Sequence, residues 1–251
     1  MHFANHRIVI MGGSSGIGLA TAQMLVDAGA KVAITGREQN KIETALAQLG
    51  EQATGTVVDA TSPSQVRHFF HEYGAFHHLV IAVSGAGGAG AFRTLDPAAL
   101  GQGFEAKFWA HLTVAQASLE TLQPDGSLTF LTAGSARSAF PETAGLAAMN
   151  GALNAMVPTL ALELRPLRVN AVSPGVIATP WWDRVSQDFH QAYFARSAAV
   201  PVGRVGQSED VAQAVVFLIQ DSFMTGTIID CDGGARYLLS LSGLSPFGQK
   251  P

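Results

Sequence analysis

RIVIMGGSSGIGLATAQMLVDAGAKVAITGRE, running from Arg7 to Glu38, joins an apolar segment, Ile8 to Met11, to the glycine-rich turn Gly12-Gly13-Ser14-Ser15-Gly16-Ile17-Gly18 and then to an amphipathic segment. Ala20, Met24, Leu25 and Ala28 recur on one face at helical spacing, so this last segment predicts a helix. Gly29 stands where helices tend to end, and the apolar run Lys31 to Thr35 follows as a second strand. Strand, turn, helix and strand make a β-α-β unit. In such a unit Gly12 permits the tight turn, Gly16 lets backbone come close to a pyrophosphate, and Gly18 lets the helix pack on the strand. Free N–H groups at the helix start favour an anion, so the turn predicts a dinucleotide site. The same letters also satisfy Gly-x-Ser-x-Gly, the pattern of a hydrolase nucleophile elbow centred on Ser14, with Asp183 and His190 following in serine-acid-histidine order. That elbow belongs deep inside the sheet order, whereas Ser14 follows the first strand.

Of 251 residues, 47% are hydrophobic and 14% charged, enough for a large core in one domain spanning residues 1–251. A net charge of −4 with no basic block gives no electrostatic footprint for nucleic acid, and no such partner is expected. The single cysteine, Cys231, excludes an intrachain disulfide framework and a cysteine-rich zinc site, which suits a reducing compartment. None of the eight histidines has metal-ligand spacing, and adjacent His77 and His78 are expected to face opposite sides, so no metal is expected. MHFANHRIVI carries no secretory signal, and no apolar run approaches membrane-spanning length; the expectation is a cytoplasmic protein without a membrane partner.

Beyond Glu38 the alternation continues. Lys41 to Leu49 predicts a helix and Thr56 to Val58 a strand ending at Asp59-Ala60. Ser62-Pro63 starts the next helix, serine as cap and proline at the first helical position, with Val66, Phe69, Phe70 and Tyr73 on its buried face. Leu79 to Val83 is a fourth strand. It opens into Ser84-Gly85-Ala86-Gly87-Gly88-Ala89-Gly90, a loop where backbone approaches a flat ligand or simply connects. Asp96-Pro97 caps a long helix through Lys107 and His111 to about Leu122, and the turn Pro124-Asp125-Gly126 feeds a strand from Ser127 to Thr132. A second long helix runs from about Ala144 to Leu164. The loop before it, Ala133 to Thr143, leaves the carboxyl end of a strand, where open α/β sheets hold their ligands. Arg168 to Val172 is a sixth strand, broken by Ser173-Pro174-Gly175-Val176 before an aromatic-rich insertion; Glu209 to Ile219 and Thr225 to Ile229 are the last helix and strand. The tail from Ala235 is expected to pack on another subunit. This order predicts an α/β protein, a doubly wound parallel sheet of seven strands in a single domain.

On these residues the sequence resembles the short-chain dehydrogenase/reductase family over nearly its whole length. Gly12, Gly16 and Gly18 stand in that family's glycine pattern, and Asp59 stands where the family contacts adenine. Val169-Asn170-Ala171-Val172 and Pro174-Gly175 match the strand and the Pro-Gly turn beside the nicotinamide. Gly203-Arg204 through Asp210-Val211-Ala212, and Asp232-Gly233-Gly234, match two further signatures. The resemblance implies a Rossmann-type fold and a nicotinamide cofactor held by Gly12, Ser14, Ser15, Gly16, Ile17, Gly18, Asp59, Ala60, Ser84, Gly85, Asn150, Pro174, Gly175, Ile177 and Thr179. At the end of the second strand, where Asp or Glu would bind the ribose diol of NAD, Gly36-Arg37 offers a guanidinium to the 2′-phosphate of NADP(H). Glu38 follows at once, which keeps NAD as the second choice.

The family's hydride transfer uses a Ser, a Tyr and a Lys in Tyr-x-x-x-Lys spacing, with an Asn from the preceding long helix; tyrosine moves the proton, lysine lowers its pKa, and serine orients the carbonyl. Counting from Ala161-Leu162-Glu163-Leu164, which resembles the family's helix end, puts Leu146 at the tyrosine position, Asn150 at the lysine position and Ala133 at the serine position. Phe104-Glu105-Ala106-Lys107 puts Lys107 at the asparagine position, and Val83-Ser84-Gly85 stands where Asn-Ala-Gly is usual. Of Tyr73, Tyr193 and Tyr237, the only tyrosines, Tyr193 alone is placed to approach a substrate. An atypical oxidoreductase is implied, with Lys107, Ser135 and Asn150 as candidate catalytic residues. A lysine flanked by Phe104, Phe108 and Trp109 is open to desolvation, which lowers its pKa and permits acid, base or Schiff-base work; a solvated helix face is the plain alternative. Asn150 is expected to bond a ribose hydroxyl, and Ser135 and Ser138 to hold a substrate oxygen or cap their loop.

Residues 181–200 correspond to the segment that covers the substrate in this family. Trp181, Trp182, Phe189 and Phe194 there suggest a bulky, apolar small molecule, or equally a packed helix pair. The two long helices have family counterparts that pair subunits, so a homotetramer or homodimer is expected. The rival readings are a catalytically silent NADP-binding partner or sensor, which the four replacements favour, and, remotely, a serine hydrolase built on Ser14.

Overall fold

The computed structural model describes residues 3–85, 87–184, 187–197 and 199–240. The opening stretch folds as β1 (Arg7–Met11), α1 (Gly16–Asp27) and β2 (Lys31–Gly36). There follow α2 (Gln39–Leu49), β3 (Ala53–Val57), α3 (Pro63–Tyr73), β4 (Phe76–Ile81), α4 (Pro97–Phe104), α5 (Ala110–Ser118) and β5 (Leu122–Leu131). The chain continues through α6 (Ala144–Glu163), β6 (Arg168–Pro174), β7 (Ile177–Ala178), α7 (Gln187–Ser197), β8 (Gly206–Gln207), α8 (Ser208–Gln220) and β9 (Ile228–Cys231). Seven strands form one parallel sheet in the order β3-β2-β1-β4-β5-β6-β9, and β7 pairs with β8 apart from it. The order reverses between β1 and β4, which opens a crevice beyond their carboxyl ends.

Alternation along each strand feeds two cores, because successive side chains point to opposite faces. Val9 of β1 packs with Leu79, Leu128 and Val169 against Phe70, Val114 and Leu153 of α3, α5 and α6. Its neighbours Ile8 and Ile10 pack with Ile34 and Val80 against Leu25, Ile42 and Val215 of α1, α2 and α8. Both faces of the sheet are thereby covered, as an all-parallel sheet requires.

Several local expectations change. The Ser62 hydroxyl does not cap α3, lying 3.2 Å from the Ser64 hydroxyl, although Pro63 does open the helix; Asp96 caps α4 as expected, accepting from the Ala98 N–H at 2.9 Å. The turn Pro124-Asp125-Gly126 is absorbed into β5, where it forms an irregularity between the pairs Phe76–Leu122 and His78–Ser127. β6 runs through Pro174 rather than stopping at Val172, because Pro174 sits at the end of the ladder, opposite Cys231. His77 and His78 do not part company: His6 stacks on both rings, at 5.1 and 5.2 Å between centroids. α6, with 20 residues and an 18-residue stretch of mean hydropathy 1.2, has the length and composition to cross a bilayer, against the expectation that no run approaches this; here it packs on β6, with Met149, Leu153 and Val157 buried. The expected helix from Asp96 to Leu122 is α4 and α5 joined by a π-helical turn, Glu105–Trp109, and ends at Ser118. The tail beyond residue 240 lies outside the described residues.

α1 meets β1 at its start. A Cβ on Gly18 would overlap the Gly12 carbonyl oxygen, so no side chain fits there, whereas a Cβ on Gly101, inside α4, meets nothing within 4 Å. Gly18→Ala is expected to destabilise the protein by about 1–3 kcal/mol, and Gly101→Ala to leave it unchanged or stabilise it by about 0.5–1 kcal/mol. Urea unfolding midpoints of the two variants give the comparison.

Candidate active site

The carboxyl ends of β1, β2, β4, β5 and β6 open into a cleft of about 730 Å³, a size suited to a cofactor with a substrate. Its floor is the glycine turn. Gly12 and Gly16 have φ of +90° and +54°, a region L side chains rarely adopt, and the Gly12 and Gly13 N–H groups donate to the Thr35 carbonyl at 3.1 and 3.0 Å. Ser15 occupies the cap position of α1, yet its hydroxyl makes no capping bond, so the first-turn N–H groups of the helix face the cleft without a side-chain acceptor.

At one end of the cleft lie Arg37, Glu38, Lys41 and Asp59. Glu38 is in an ion pair with Lys41 at 2.7 Å, and both side chains are exposed. The Asp59 carboxylate accepts from the Thr61 N–H at 2.9 Å and the Thr61 hydroxyl at 2.8 Å. The backbone N–H is the main cause holding it below the usual carboxylate range, with the Arg37 charge adding to the same effect.

The other end is built by the π turn, the loop after β5 and the start of α6. Lys107 is buried at 8% exposure and donates to the Thr132 carbonyl at 3.4 Å; desolvation pushes its pKa down to about 8. The plain alternative of a solvated lysine is thereby set aside. The Asn150 Nδ2 donates back to the Leu146 carbonyl at 2.8 Å and lies 3.4 Å from the Ser135 hydroxyl, while its Oδ1 is buried without a hydrogen-bond partner. Ser138, buried, and Phe140, Thr143, Leu146 and Ala133 complete this end. Trp181 donates through Nε1 to the Gly85 carbonyl at 3.1 Å and closes the cleft from above with Trp182, itself bonded to the Ile177 carbonyl at 2.7 Å.

Every residue singled out for the cofactor or for catalysis, from Gly12 through Arg37, Asp59, Ser84 and Lys107 to Asn150, Gly175 and Thr179, lines this one cleft. Among the described residues no tyrosine, histidine or cysteine does. Tyr73 stacks on Phe69, Tyr237 is exposed, and the side chain of Tyr193, like that of Phe189, lies outside the described residues. Phe194 packs on Trp182 and His190 rather than lining the cleft, and His190 stacks on Trp182, away from Ser14, so no serine-histidine pair forms there. Sequence reasoning gave no role to the Thr132 carbonyl, which has no side-chain signal, or to Asp232, which also lines the cleft. His111 belongs to no motif, and its one signal is a polar residue one helical turn beyond Lys107 in an apolar helix.

A family model described as enoyl-(acyl carrier protein) reductase matches residues 12–236. A short-chain dehydrogenase/reductase, ATR9, of Stachybotrys chlorohalonatus is 32% identical over 91% of this chain and 96% of its own. The chain belongs to the short-chain dehydrogenase/reductase family. Among solved structures, a small-chain dehydrogenase in complex with NADPH is 32% identical, covers 92% of this chain and 98% of its own, and superposes with a TM-score of 0.77. A short-chain oxidoreductase from Pseudomonas aeruginosa PAO1, in its apo form and described as containing an atypical catalytic center, is 27% identical over 93% of this chain and 98% of its own, with a TM-score of 0.84. Membership places the chain in a family of oxidoreductases, one solved neighbour of which holds NADPH, and nothing in these matches favours the hydrolase reading.

Burial of the Lys107 ammonium carries a stability cost. The unfolded chain keeps the ordinary lysine value of 10.5 while the folded state holds the pKa at about 8, so the penalty is full below pH 8 and stability rises with pH between the two values. Lys107→Met is expected to stabilise the protein by roughly 3 kcal/mol at pH 7. The gain should shrink as the pH approaches 10.5, which thermal melts of both proteins across pH 7–10.5 would show.

Proposed function

We propose that this protein is an NADP(H)-dependent oxidoreductase in which Lys107, rather than a tyrosine, handles the proton. The observation that carries the reading is the Lys107 amine, buried in the cleft with its pKa lowered to about 8. At neutral pH such a group is mostly ammonium yet gives up its proton readily, as a general acid must. In this reading Leu146, Asn150, Ala133 and Lys107 stand at the family's tyrosine, lysine, serine and asparagine positions. Leu146 has no proton to give, and the neighbour with an atypical catalytic center is a precedent within the fold.

The residues fit a dinucleotide. The positive-φ glycines leave room for phosphates, the start of α1 supplies donors for them, and the unpartnered Asn150 Oδ1 is an acceptor for a ribose hydroxyl. Bound nicotinamide nucleotide supplies the hydride. Ser135 and Ser138 hold the substrate oxygen, and the Lys107 ammonium faces the negative charge that develops on it and protonates it. NADP is favoured over NAD because the Glu38 carboxylate is engaged by Lys41, while Arg37 lines the cleft where the 2′-phosphate belongs; the NADPH-bound neighbour supports the same choice. Leu146, Phe140 and the two tryptophans make the substrate end largely apolar, which suits a bulky apolar small molecule.

The second reading, a silent NADP-binding partner or sensor, draws on the lack of a tyrosine in the described cleft. Oxidation of NADPH, followed by absorbance with ketones, imines and activated alkenes, separates the two. We expect turnover with at least one class, reduced at least a hundredfold in Lys107→Met with NADPH affinity retained; affinity for NADPH without turnover of any class would establish the silent reading. Arg37→Asp is expected to weaken NADPH at least tenfold while leaving NADH no weaker, measured by fluorescence titration, and equal NADPH affinity before and after the change would refute the choice of cofactor.

A further inference from the structure

Lys107 sits in the π turn, where the helical hydrogen-bond ladder is out of step: the Ala110 N–H reaches both the Glu105 carbonyl five residues back and the Lys107 carbonyl three residues back. Such turns are rare and need something to hold them. His111, one turn on, is completely buried and stacks on Phe130 of β5, with centroids 6.0 Å apart. Its Nδ1 lies 3.0 Å from the Lys107 carbonyl oxygen and its Nε2 lies 3.1 Å from the carbonyl oxygen of Ile81, the last residue of β4. The ring thus spans the gap between the helix and the strand end from which Ala82, Val83, Ser84 and Gly85 continue into the cleft wall. Gly85 in turn packs so closely on Ala106 that a Cβ there would come within 2.7 Å of the alanine Cβ. A polar ring in an apolar core is costly unless its N–H finds an acceptor, and here each nitrogen faces a carbonyl that can take it.

We propose that His111 is a positioning residue whose imidazole ties the π turn to the end of β4 and so sets the Lys107 amine in the cleft. The inference deepens the reading of Lys107 as the proton-handling group and rests on it for its functional meaning. A neutral imidazole has one N–H for two carbonyls, and a second proton would satisfy both while placing another cation beside Lys107. The two side chains therefore compete for charge, and desolvation together with the Lys107 charge holds the His111 pKa well below its ordinary value. Without the ring the turn is free to relax into a regular α ladder, a change of one residue in register that swings Lys107 by about 100° around the helix axis. The amine then leaves its dry slot.

The test reads Lys107 directly rather than through activity. The sequence has four lysines, Lys31, Lys41, Lys107 and Lys250, so the ¹³C-dimethyl-lysine spectrum of the full chain is simple, and Lys107→Arg identifies the resonance. In the wild type that resonance should titrate near pH 8. In folded His111→Phe or His111→Leu, which keep bulk against Phe130 but lose the ring N–H and with it the hydrogen bond to a carbonyl, the inflection should rise by at least one pH unit. In His111→Gln, whose amide N–H groups can serve the Lys107 and Ile81 carbonyls, it should stay within half a unit of wild type. Collapse of the phenylalanine and leucine variants, with glutamine folded and titrating as wild type, supports the proposal, because glutamine keeps the N–H donor that the other two lack. A folded phenylalanine or leucine variant with the wild-type titration overturns it, as does failure of the glutamine variant to fold or to hold the low inflection. NADPH affinity and turnover measured on the same samples report on the proposed function separately, since a silent protein would still show the titration shift.

Discussion

The Gly12 carbonyl lies against the Cα of Gly18 with no space for a side chain between them, and that contact aims the start of α1 across the ends of β1 and β4. Everything in the cleft is arranged around this aim. The turn that makes the contact holds Gly12 and Gly16 at positive φ, which brings bare backbone and the first helical N–H groups to the place where an anionic ligand is best stabilised. Because β1 sits at the reversal of strand order, the loops that leave β4, β5 and β6 all gather on the same rim. Fold and site are therefore one constraint: the glycine contact fixes the helix, and the helix fixes where a dinucleotide can lie.

A second constraint acts across the cleft from the first. A lysine buried beneath the ends of β4 and β5 costs stability, and a protein retains such a group most readily where it serves a site. The Thr132 carbonyl takes one amine hydrogen, and the π turn in which the lysine stands is itself braced by His111. The chemistry this favours is stabilisation of negative charge on a substrate oxygen, in surroundings where water screens little. A cationic substrate would meet a like charge and be repelled.

Much of this was legible in the sequence because it depends on local signals. The glycine turn, the apolar strands and the proline openings of α3 and α4 each follow from residues within a few positions of one another. The cleft residues were legible for the same reason, since strand ends followed by glycine or proline mark where loops gather. The π turn was not: Glu105-Ala106-Lys107-Phe108-Trp109 contains no glycine or proline, and its geometry is set by partners at Ile81, Thr132 and Phe130, distant in the chain. The aromatic neighbours of Lys107 leave a dry site and a solvated face both open; Trp109 is 47% exposed, and the hydrogen bond of the Lys107 amine runs to the Thr132 carbonyl at the end of β5. Ser62 misled because a serine before proline has the letters of a cap without its hydrogen bond. His6, His77 and His78 meet because β1 and β4 are neighbours in the sheet, a pairing that adjacency in sequence does not convey.

In the proposed function the proton delivered to the substrate comes from Lys107. The most direct measure of that transfer is the pH dependence of the single-turnover rate at saturating NADPH with any substrate the protein reduces. If the Lys107 ammonium is the acid, the rate is level below pH 8 and falls about tenfold per pH unit above it. A rate that stays level through pH 9.5, or one that falls only on a limb belonging to another group and persists in Lys107→Met, would contradict it.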